Sequence, residues 1–236
     1  MENTTMENTR TKTTRNSLIL LLTAAIWGMA FVSQSKGMFT FNGVRSLIGA
    51  ASILVYILIS RKIAGDKAAP LDWKLNVKAG LLCGIFLTIA STLQQFGIKY
   101  TSVGKAGFIT TLYIIFVPMF GIFLKKKVAP VVWAAAVMAA VGMYLLCMTE
   151  SLRLGAGDIM VFLCAIAFAI QIMTVDHYAA RIDGAVVSCI QFTVCGVVCC
   201  IGALIWGQPT FGQLQEGLGA LLYAGVLSCG VGYTLQ

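Results

Sequence analysis

Uncharged polar side chains lie inside long apolar runs of this sequence, where they can bind a solute or a neighbouring helix. The clearest case is residues 80–124, in which two apolar runs flank a short polar connector at residues 99–105. Each run has roughly the 20 mainly apolar residues that a helix needs to cross a bilayer. Amides and hydroxyls at that depth require a partner on another helix or a water-filled cavity. Both runs are therefore candidates to line a solute path, through Gln94, Gln95, Thr110, Thr111 and Tyr113.

Six aromatic or amide side chains are expected to contact a bound solute. An unpaired amide in hydrocarbon costs about 2–7 kcal/mol, but a bond to a neighbouring helix contributes about 0.6–2 kcal/mol, so a packing role stays open for each amide. Gln94 and Gln95 cannot both face a cavity, since neighbours on a helix point in different directions. Trp27 lies near the middle of its run, which fits a cavity wall or a packed core. The expected set is Trp27, Gln94, Gln95, Tyr113, Gln171 and Tyr233.

Two further residues are candidates for special roles. Pro118 removes a backbone N–H inside its run and frees a carbonyl near Ile114, which predicts either a gating hinge or a packing kink. Arg45 is charged within an apolar run, and a central arginine costs at least about 2.5–3.5 kcal/mol. Its place near the outer end of its helix predicts that it reaches the headgroups or attracts anions at the outer mouth.

No Asp or Glu lies in the middle of an apolar run. Proton-coupled carriers usually need a buried group that titrates during the cycle, so we expect a facilitator or an exchanger. The sequence has no zinc-protease, serine-hydrolase or nucleotide-loop signature and a single histidine. Most of its cysteines lie in apolar runs, where they behave as small hydrophobic residues. We therefore expect no enzyme, no metal site and no cofactor.

Composition places the chain in a membrane. Of its 236 residues, 58% are hydrophobic and 11% charged, against about 25% charged in soluble domains. A soluble fold of this size could not bury so much apolar surface. The basic residues behind the net charge of +8 lie mainly between apolar runs, which fits orientation in a membrane better than a nucleic-acid-binding face. We expect an all-α polytopic membrane protein that binds no nucleic acid, and a homodimer stays open.

Eight transmembrane helices are predicted after a polar N-terminal tail. Residues 1–17 are rich in Thr and Asn and indicate a disordered cytoplasmic tail. With the N-terminus inside, most basic residues between the spans fall on the inner side, as the positive-inside rule requires. We expect an integral, multi-pass protein of the cell (inner) membrane. The spans are 18–34, 41–60, two within 80–124, 130–148, 158–178, 185–206 and 217–236.

The sequence also repeats itself. Residues 22–32 match residues 163–173 at an offset of 141, so that Trp27 corresponds to Phe168. Five helices per unit is an odd number, and the second copy would therefore enter the membrane from the opposite side. Inverted repeats of this kind are common in secondary transporters.

The register of the repeat stays open in one helix. Residues 81–88 match residues 221–228 at an offset of 140, whereas an offset of 142 pairs residues 92–94 with residues 234–236. On either register, a complete second unit predicts two more helices after Gln236.

These features together resemble the EamA-type drug/metabolite transporters. The resemblance covers about residues 18–236 and implies ten helices in two inverted five-helix repeats around a central cavity with alternating access. Residues 18–148 then form the first repeat, and residues 158–236 form a second repeat that ends before its ninth and tenth helices. The resemblance rests on Trp27-Gly28, Arg45, the segment QFGIKYTS that begins at Gln95, and Ala106, Leu112 and Pro118.

The expected function is secondary transport of a small metabolite or drug-like solute across the bilayer by alternating access, as an exporter or an exchanger. A membrane scaffold that transports nothing, or an inactive truncated fragment, is the alternative. A transporter predicts that water-soluble thiol reagents label cysteines placed at Gln94 or Gln171 and that solute blocks the labelling. A scaffold predicts a dry interior that resists such reagents.

Overall fold

Helices make up every regular element in the part of the chain that this computed structural model describes, namely residues 23, 39–65, 71–125, 129–147, 155–206 and 218–232. They include a 3₁₀ turn, Ala179–Arg181, and a π-helical segment, Tyr223–Val231. The α-helices are α1 (Phe39–Ala64), α2 (Trp73–Tyr100), α3 (Val103–Thr111), α4 (Tyr113–Phe123), α5 (Pro130–Cys147), α6 (Ala156–Tyr178), α7 (Gly184–Trp206) and α8 (Leu218–Leu222).

Apolar length decides these elements, and the expectation of an all-helical polytopic membrane protein is confirmed. Five helical stretches among the described residues are long and apolar enough to cross a membrane. The second, third, sixth and seventh expected spans are α1, α2, α6 and α7, and the fourth is α3 together with α4. The fifth expected span lies at α5, whose apolar stretch Pro130–Gly142 is shorter than these five. The tail and, apart from Thr23, the first expected span lie outside the described residues.

Polar side chains at the helix starts explain where three of the helices begin. Asp72 accepts from the backbone N–H of Leu75 at 3.1 Å before α2, and Ser102 accepts from that of Lys105 at 3.2 Å before α3. Asp183 accepts from two backbone N–H groups in the first turn of α7. Each side chain satisfies donors that the first turn of a helix cannot pair internally.

The fourth span is interrupted at Leu112 rather than at the carbonyl that Pro118 frees. The Leu112 N–H donates to the carbonyl of Ile109 at 3.2 Å, which closes α3 with a tight turn. Thr111 Oγ1 also donates to the carbonyl of Gly107 at 2.7 Å, a bond that competes with regular helix geometry. Pro118 itself lies inside α4 and is buried. The irregular residue of this span is therefore Leu112.

α2 is the central helix, packed along both α6 and α7. Glycines allow these close approaches. A Cβ on Gly97 would lie 2.3 Å from Val161 Cγ2 of α6, and one on Gly84 would lie 2.8 Å from Val194 Cβ of α7. α1 packs against α7 and the π-helical segment, while α3 and α4 pack against α6.

Polar contacts hold the two ends of the helical assembly. At the end where α2 finishes and α6 begins, called here the Tyr100 end, the α2–α3 connector contacts the start of α6. At the other end, called the Arg61 end, Arg61 of α1 and Asn76 of α2 both contact Asp183 before α7. The chain connectors, not only the apolar helix faces, therefore join the helices.

Candidate functional site

Gln94 is buried and joins two helices. Its side chain is 4% exposed, and Nε2 donates to Thr110 Oγ1 of α3 at 3.3 Å. This is the interhelical bond that the sequence left open as an alternative to a solute contact. Gln95, the next residue, is also 4% exposed, so both amides of this pair lie in the protein interior.

Gln171 joins α6 to α7. Its Nε2 donates to Gln191 Oε1 at 2.9 Å, and both side chains are buried. The sequence reasoning missed Gln191, although it carries the same signal that singled out Gln171, an amide inside a long apolar run. The two amides form a polar contact between the Arg61-end halves of α6 and α7, which is a different place from the Gln94–Thr110 contact.

Tyr113 is half-buried at the start of α4 and faces α6. Its ring centroid lies 6.4 Å from that of Phe168, with the planes tilted by 57°. Phe168 packs in turn against the apolar cluster around Ala90 of α2. Trp27 and Tyr233 lie outside the described residues. The structure therefore places Gln94, Gln95 and Gln171 in the interior and Tyr113 half-buried against α6.

Arg45 lies in a buried polar network that the sequence did not predict. Its side chain is 8% exposed, and Nε donates to Asn42 Oδ1 at 2.9 Å. Asn42 Nδ2 in turn donates to Ser91 Oγ of α2 at 3.0 Å and to Cys199 Sγ of α7 at 3.3 Å. One amide therefore orients the guanidinium and ties α1 to two other helices.

Hydroxyl and thiol groups complete this network. Ser46 Oγ donates to the Asn42 carbonyl at 2.7 Å and lies 3.6 Å from Cys195 Sγ, and Ser91 Oγ lies 3.4 Å from the same sulfur. A signal was available in the sequence, since three of these residues recur at helical spacing on one face of α1. The Arg45 cluster, as it is called below, consists of Asn42, Arg45, Ser46, Ser91, Cys195 and Cys199.

The Arg45 cluster lies at mid-depth of the helices, and the role of Arg45 as a charge at the outer mouth stays a prediction. Cys195 is the central residue of α7, Gly184–Trp206. Ser91 lies only about 7 Å past the midpoint of α2, at 1.5 Å of rise per residue. The first turns of α1 therefore pack beside the middles of α2 and α7, so Arg45 is enclosed by helices rather than extended toward headgroups.

Charge is balanced differently at the helix ends. Lys105 Nζ lies 2.6 Å from Asp158 Oδ2 at the Tyr100 end, and Arg61 Nη2 lies 3.6 Å from Asp183 Oδ2 at the Arg61 end. In the described part of the chain, no Asp or Glu comes within 4.0 Å of Arg45. Unlike the two cations at the ends, the buried guanidinium of Arg45 therefore has no carboxylate partner among the described residues.

A small cavity of about 10 Å³ lies between α3, α4 and α5. Its walls are apolar for the most part, with Phe108, Leu112, Ala136 and Ala140 among them. The cavity has room for about one water molecule. Thr111, a candidate for the solute path, is in its lining, but none of the six expected solute-contact residues is.

Comparison with known proteins places the chain among transporters. A model of the EamA-like transporter family matches residues 15–148, more than half of the chain. An uncharacterized transporter of Archaeoglobus fulgidus is 30% identical over 171 residues, which are 68% of this chain and 48% of that protein. The chain thus spans about half the length of this relative.

One solved crystal structure has a similar fold. The similarity covers 94% of this chain and 77% of that chain, with a TM-score of 0.70 and 17% sequence identity. At this identity the likeness concerns the fold alone.

Proposed function

Because the chain belongs to the EamA-like transporter family, a group of multi-pass membrane transporters, we propose that it carries a small metabolite or drug-like solute by alternating access, as an exporter or an exchanger. The observation that carries the proposal is the Arg45 cluster, a buried polar network at mid-depth of the helices. Secondary transporters bind their solutes near the bilayer midplane, where two repeats meet.

The packing of the helices supports an inverted repeat. If five helices form one unit, α1 corresponds to α7, and α2 corresponds to α8 with the π-helical segment. The contact of α2 with α7 then has a counterpart in the contact of the π-helical segment with α1, and both contacts are present. The Arg45 cluster has members on α1, α2 and α7, so on this proposal it lies where the two units meet.

The π-helical segment offers a reason for the two registers of the repeat. Leu221 and Leu222, which match Leu81 and Leu82 at an offset of 140, lie in α8 just before this segment. A π turn closes an i→i+5 bond and holds about one residue more than an α turn, so the nine residues of Tyr223–Val231 absorb about two extra residues. The offset of 140 would then apply before the segment and the offset of 142 after it.

Alternating access requires one end of the helical assembly to be closed while the other opens. At the Tyr100 end, Lys105 and Thr101 both donate to Asp158 at 2.6 Å. Gly97 and Gly157 also approach closely there, since a Cβ on Gly157 would lie 2.8 Å from the Gly97 carbonyl. These contacts support a state that is closed at the Tyr100 end, which the proposed orientation places outside the cell.

Thiol labelling in proteoliposomes or whole cells tests the proposal. In a background that keeps only Cys195 and Cys199 of the native cysteines, Gln94→Cys and Gln171→Cys are expected to react with a water-soluble maleimide above the level of that background, and a transported solute is expected to slow the reaction. Lys99→Cys, at an exposed helix end, is the control that labels in any case. Leu204→Cys is the control that lipid protects from the reagent, because the Leu204 side chain is 74% exposed on the face of α7 that points away from the other helices.

A non-transporting scaffold is the rival function, and the bonds of Gln94 to Thr110 and of Gln171 to Gln191 favour it. On that reading both amides serve only to join helices. Labelling at neither position, with Lys99→Cys fully labelled, together with no uptake of any solute in a metabolite panel, would replace the transporter proposal by the scaffold.

A further inference from the structure

A buried cation needs compensation, and the described residues supply little of it for Arg45. Its side chain is 8% exposed at mid-depth of the helices. An isolated charge at that depth is strongly unfavourable unless another charge or several hydrogen bonds compensate it. An arginine in the interior of a membrane protein is therefore expected mainly where its charge has a function, such as binding a solute.

No carboxylate among the described residues lies within 4.0 Å of Arg45. Its one described hydrogen bond runs from Nε to the amide oxygen of Asn42. The carboxylates of Asp158 and Asp183 belong to Lys105 and Arg61 at the two ends. The other members of the Arg45 cluster offer an amide, hydroxyls and sulfur atoms rather than a carboxylate.

The two Nη groups of Arg45 can donate hydrogen bonds that no described residue accepts. Within the described part of the chain, neither Nη atom of Arg45 donates a hydrogen bond. A fully buried Nη atom without a hydrogen bond would count as an unsatisfied donor, and neither Nη atom is one. Both therefore retain some accessible surface. The two Nη groups of a guanidinium form a planar fork that matches two oxygens of a carboxylate or phosphate.

We propose that Arg45 is the anion subsite of the solute, so that the transported compound carries a carboxylate or phosphate group. This inference rests on the proposed transport function and adds the substrate class to it. Asn42 holds the guanidinium through Nε and is itself held by Ser91 and Cys199. Asn42 therefore acts as a positioning residue that leaves the fork free for the solute.

Ligand-induced stabilisation of the purified protein tests the subsite without requiring transport. The probes are succinate and glycerol 3-phosphate, with their neutral analogues succinamide and glycerol. A ligand that binds only the folded state raises the thermal midpoint as its concentration rises. We expect at least one anion, and neither neutral analogue, to raise the midpoint of the wild-type protein.

Charge variants then assign the binding to Arg45. Arg45→Gln is expected to weaken anion binding by at least about thirtyfold, since one partner of a desolvated charge pair is lost. Arg61→Gln is the matched control, because Arg61 is paired with Asp183 at a helix end, and it is expected to bind like the wild type. Arg45→Lys keeps the charge and loses the fork, so it is expected to bind weakly, and it replaces Arg45→Gln if that variant does not fold.

The outcomes separate the subsite from the transport function. Anion binding that persists in Arg45→Gln, or equally in Arg45→Lys and the wild type, would overturn the subsite, as would a wild type that no anion stabilises. Uptake of neutral solutes alone, unaffected in Arg45→Gln, would overturn the subsite and leave the transporter standing. Arg45-dependent anion binding without uptake of any solute would support the subsite and overturn the transport function.

Discussion

Lys105 Nζ lies 2.6 Å from Asp158 Oδ2, so a residue after α2 is tied directly to the first turn of α6. The same carboxylate accepts from Thr101 Oγ1 at 2.6 Å and from the backbone N–H of Gly155 at 2.8 Å. The Asp158 side chain is 3% exposed and that of Lys105 is 17% exposed. Three donors thus converge on one buried carboxylate and hold the Tyr100 end together.

Asp158→Asn is expected to destabilise the protein by about 1–3 kcal/mol, because it removes the acceptor charge and leaves the ammonium of Lys105 partly buried without its partner. Thermal unfolding in detergent measures the loss. Lys99→Gln is the control, since Lys99 lies on the same end and is over the ring of Tyr100 at 5.7 Å rather than beside an acid. A double-mutant cycle with Lys105→Gln is expected to show coupling above about 0.5 kcal/mol, and additive effects would contradict the link.

Gly97→Ala is expected to force α2 and α6 apart. Its new methyl group would lie 2.3 Å from Val161 Cγ2 and 2.9 Å from the Gly157 carbonyl, and overpacking of this kind costs about 1–3 kcal/mol. Gly142→Ala in α5 is the matched control, because nothing lies within 4 Å of its added Cβ. Melting temperatures in detergent compare the two, and equal values would show that the crossing is looser than described.

The pair Gln171 and Gln191 separates packing from solute binding. Gln171→Leu removes one interhelical hydrogen bond and is expected to cost about 0.6–1.7 kcal/mol. The double variant Gln171→Leu/Gln191→Leu leaves no amide unpaired, so its thermal stability is expected to lie close to or above that of the single variant. Uptake assays on the same proteins decide the role: transport by a stable double variant assigns the pair to packing, and its loss assigns the pair to the solute path.

Transport is expected to depend little on a pH gradient. The described carboxylates, Asp72, Asp158, Asp176 and Asp183, all lie at or near helix ends, and the sequence has no acid in the middle of an apolar run. A proton-coupled cycle needs a buried group that gains and loses a proton. Uptake into liposomes with and without an imposed gradient measures the dependence, and a several-fold stimulation by the gradient would contradict this expectation.

Helix existence and family could be read from the linear sequence for a simple reason. Apolar length is a local property, and a bilayer admits few solutions other than helices for such runs. The spans at α1, α2, α6 and α7 are therefore where the apolar runs predicted them. The starts of α2 and α3 also follow from local chemistry, since Asp72 and Ser102 cap them.

The interruption of the fourth span was less accessible to sequence reasoning. Pro118 marks a lost backbone bond, but the irregular residue is Leu112, where the Thr111 hydroxyl and a tight turn compete with the α-helical pattern. Several local preferences act over the same two turns there. Their balance depends on how α3 and α4 pack against α6.

The sequence by itself determined that this chain is helical, lies in a membrane and belongs to a transporter family, because these properties follow from apolar run length and short motifs. Only the tertiary structure decided which amides pair and how deep Arg45 lies. The position of a residue along its own helix does not determine which part of a neighbouring helix it packs beside. Here the first turns of α1 pack beside the middle of α7. The pairing of Asn42 with Cys199 depends on that displacement, a long-range packing result that no local pattern encodes.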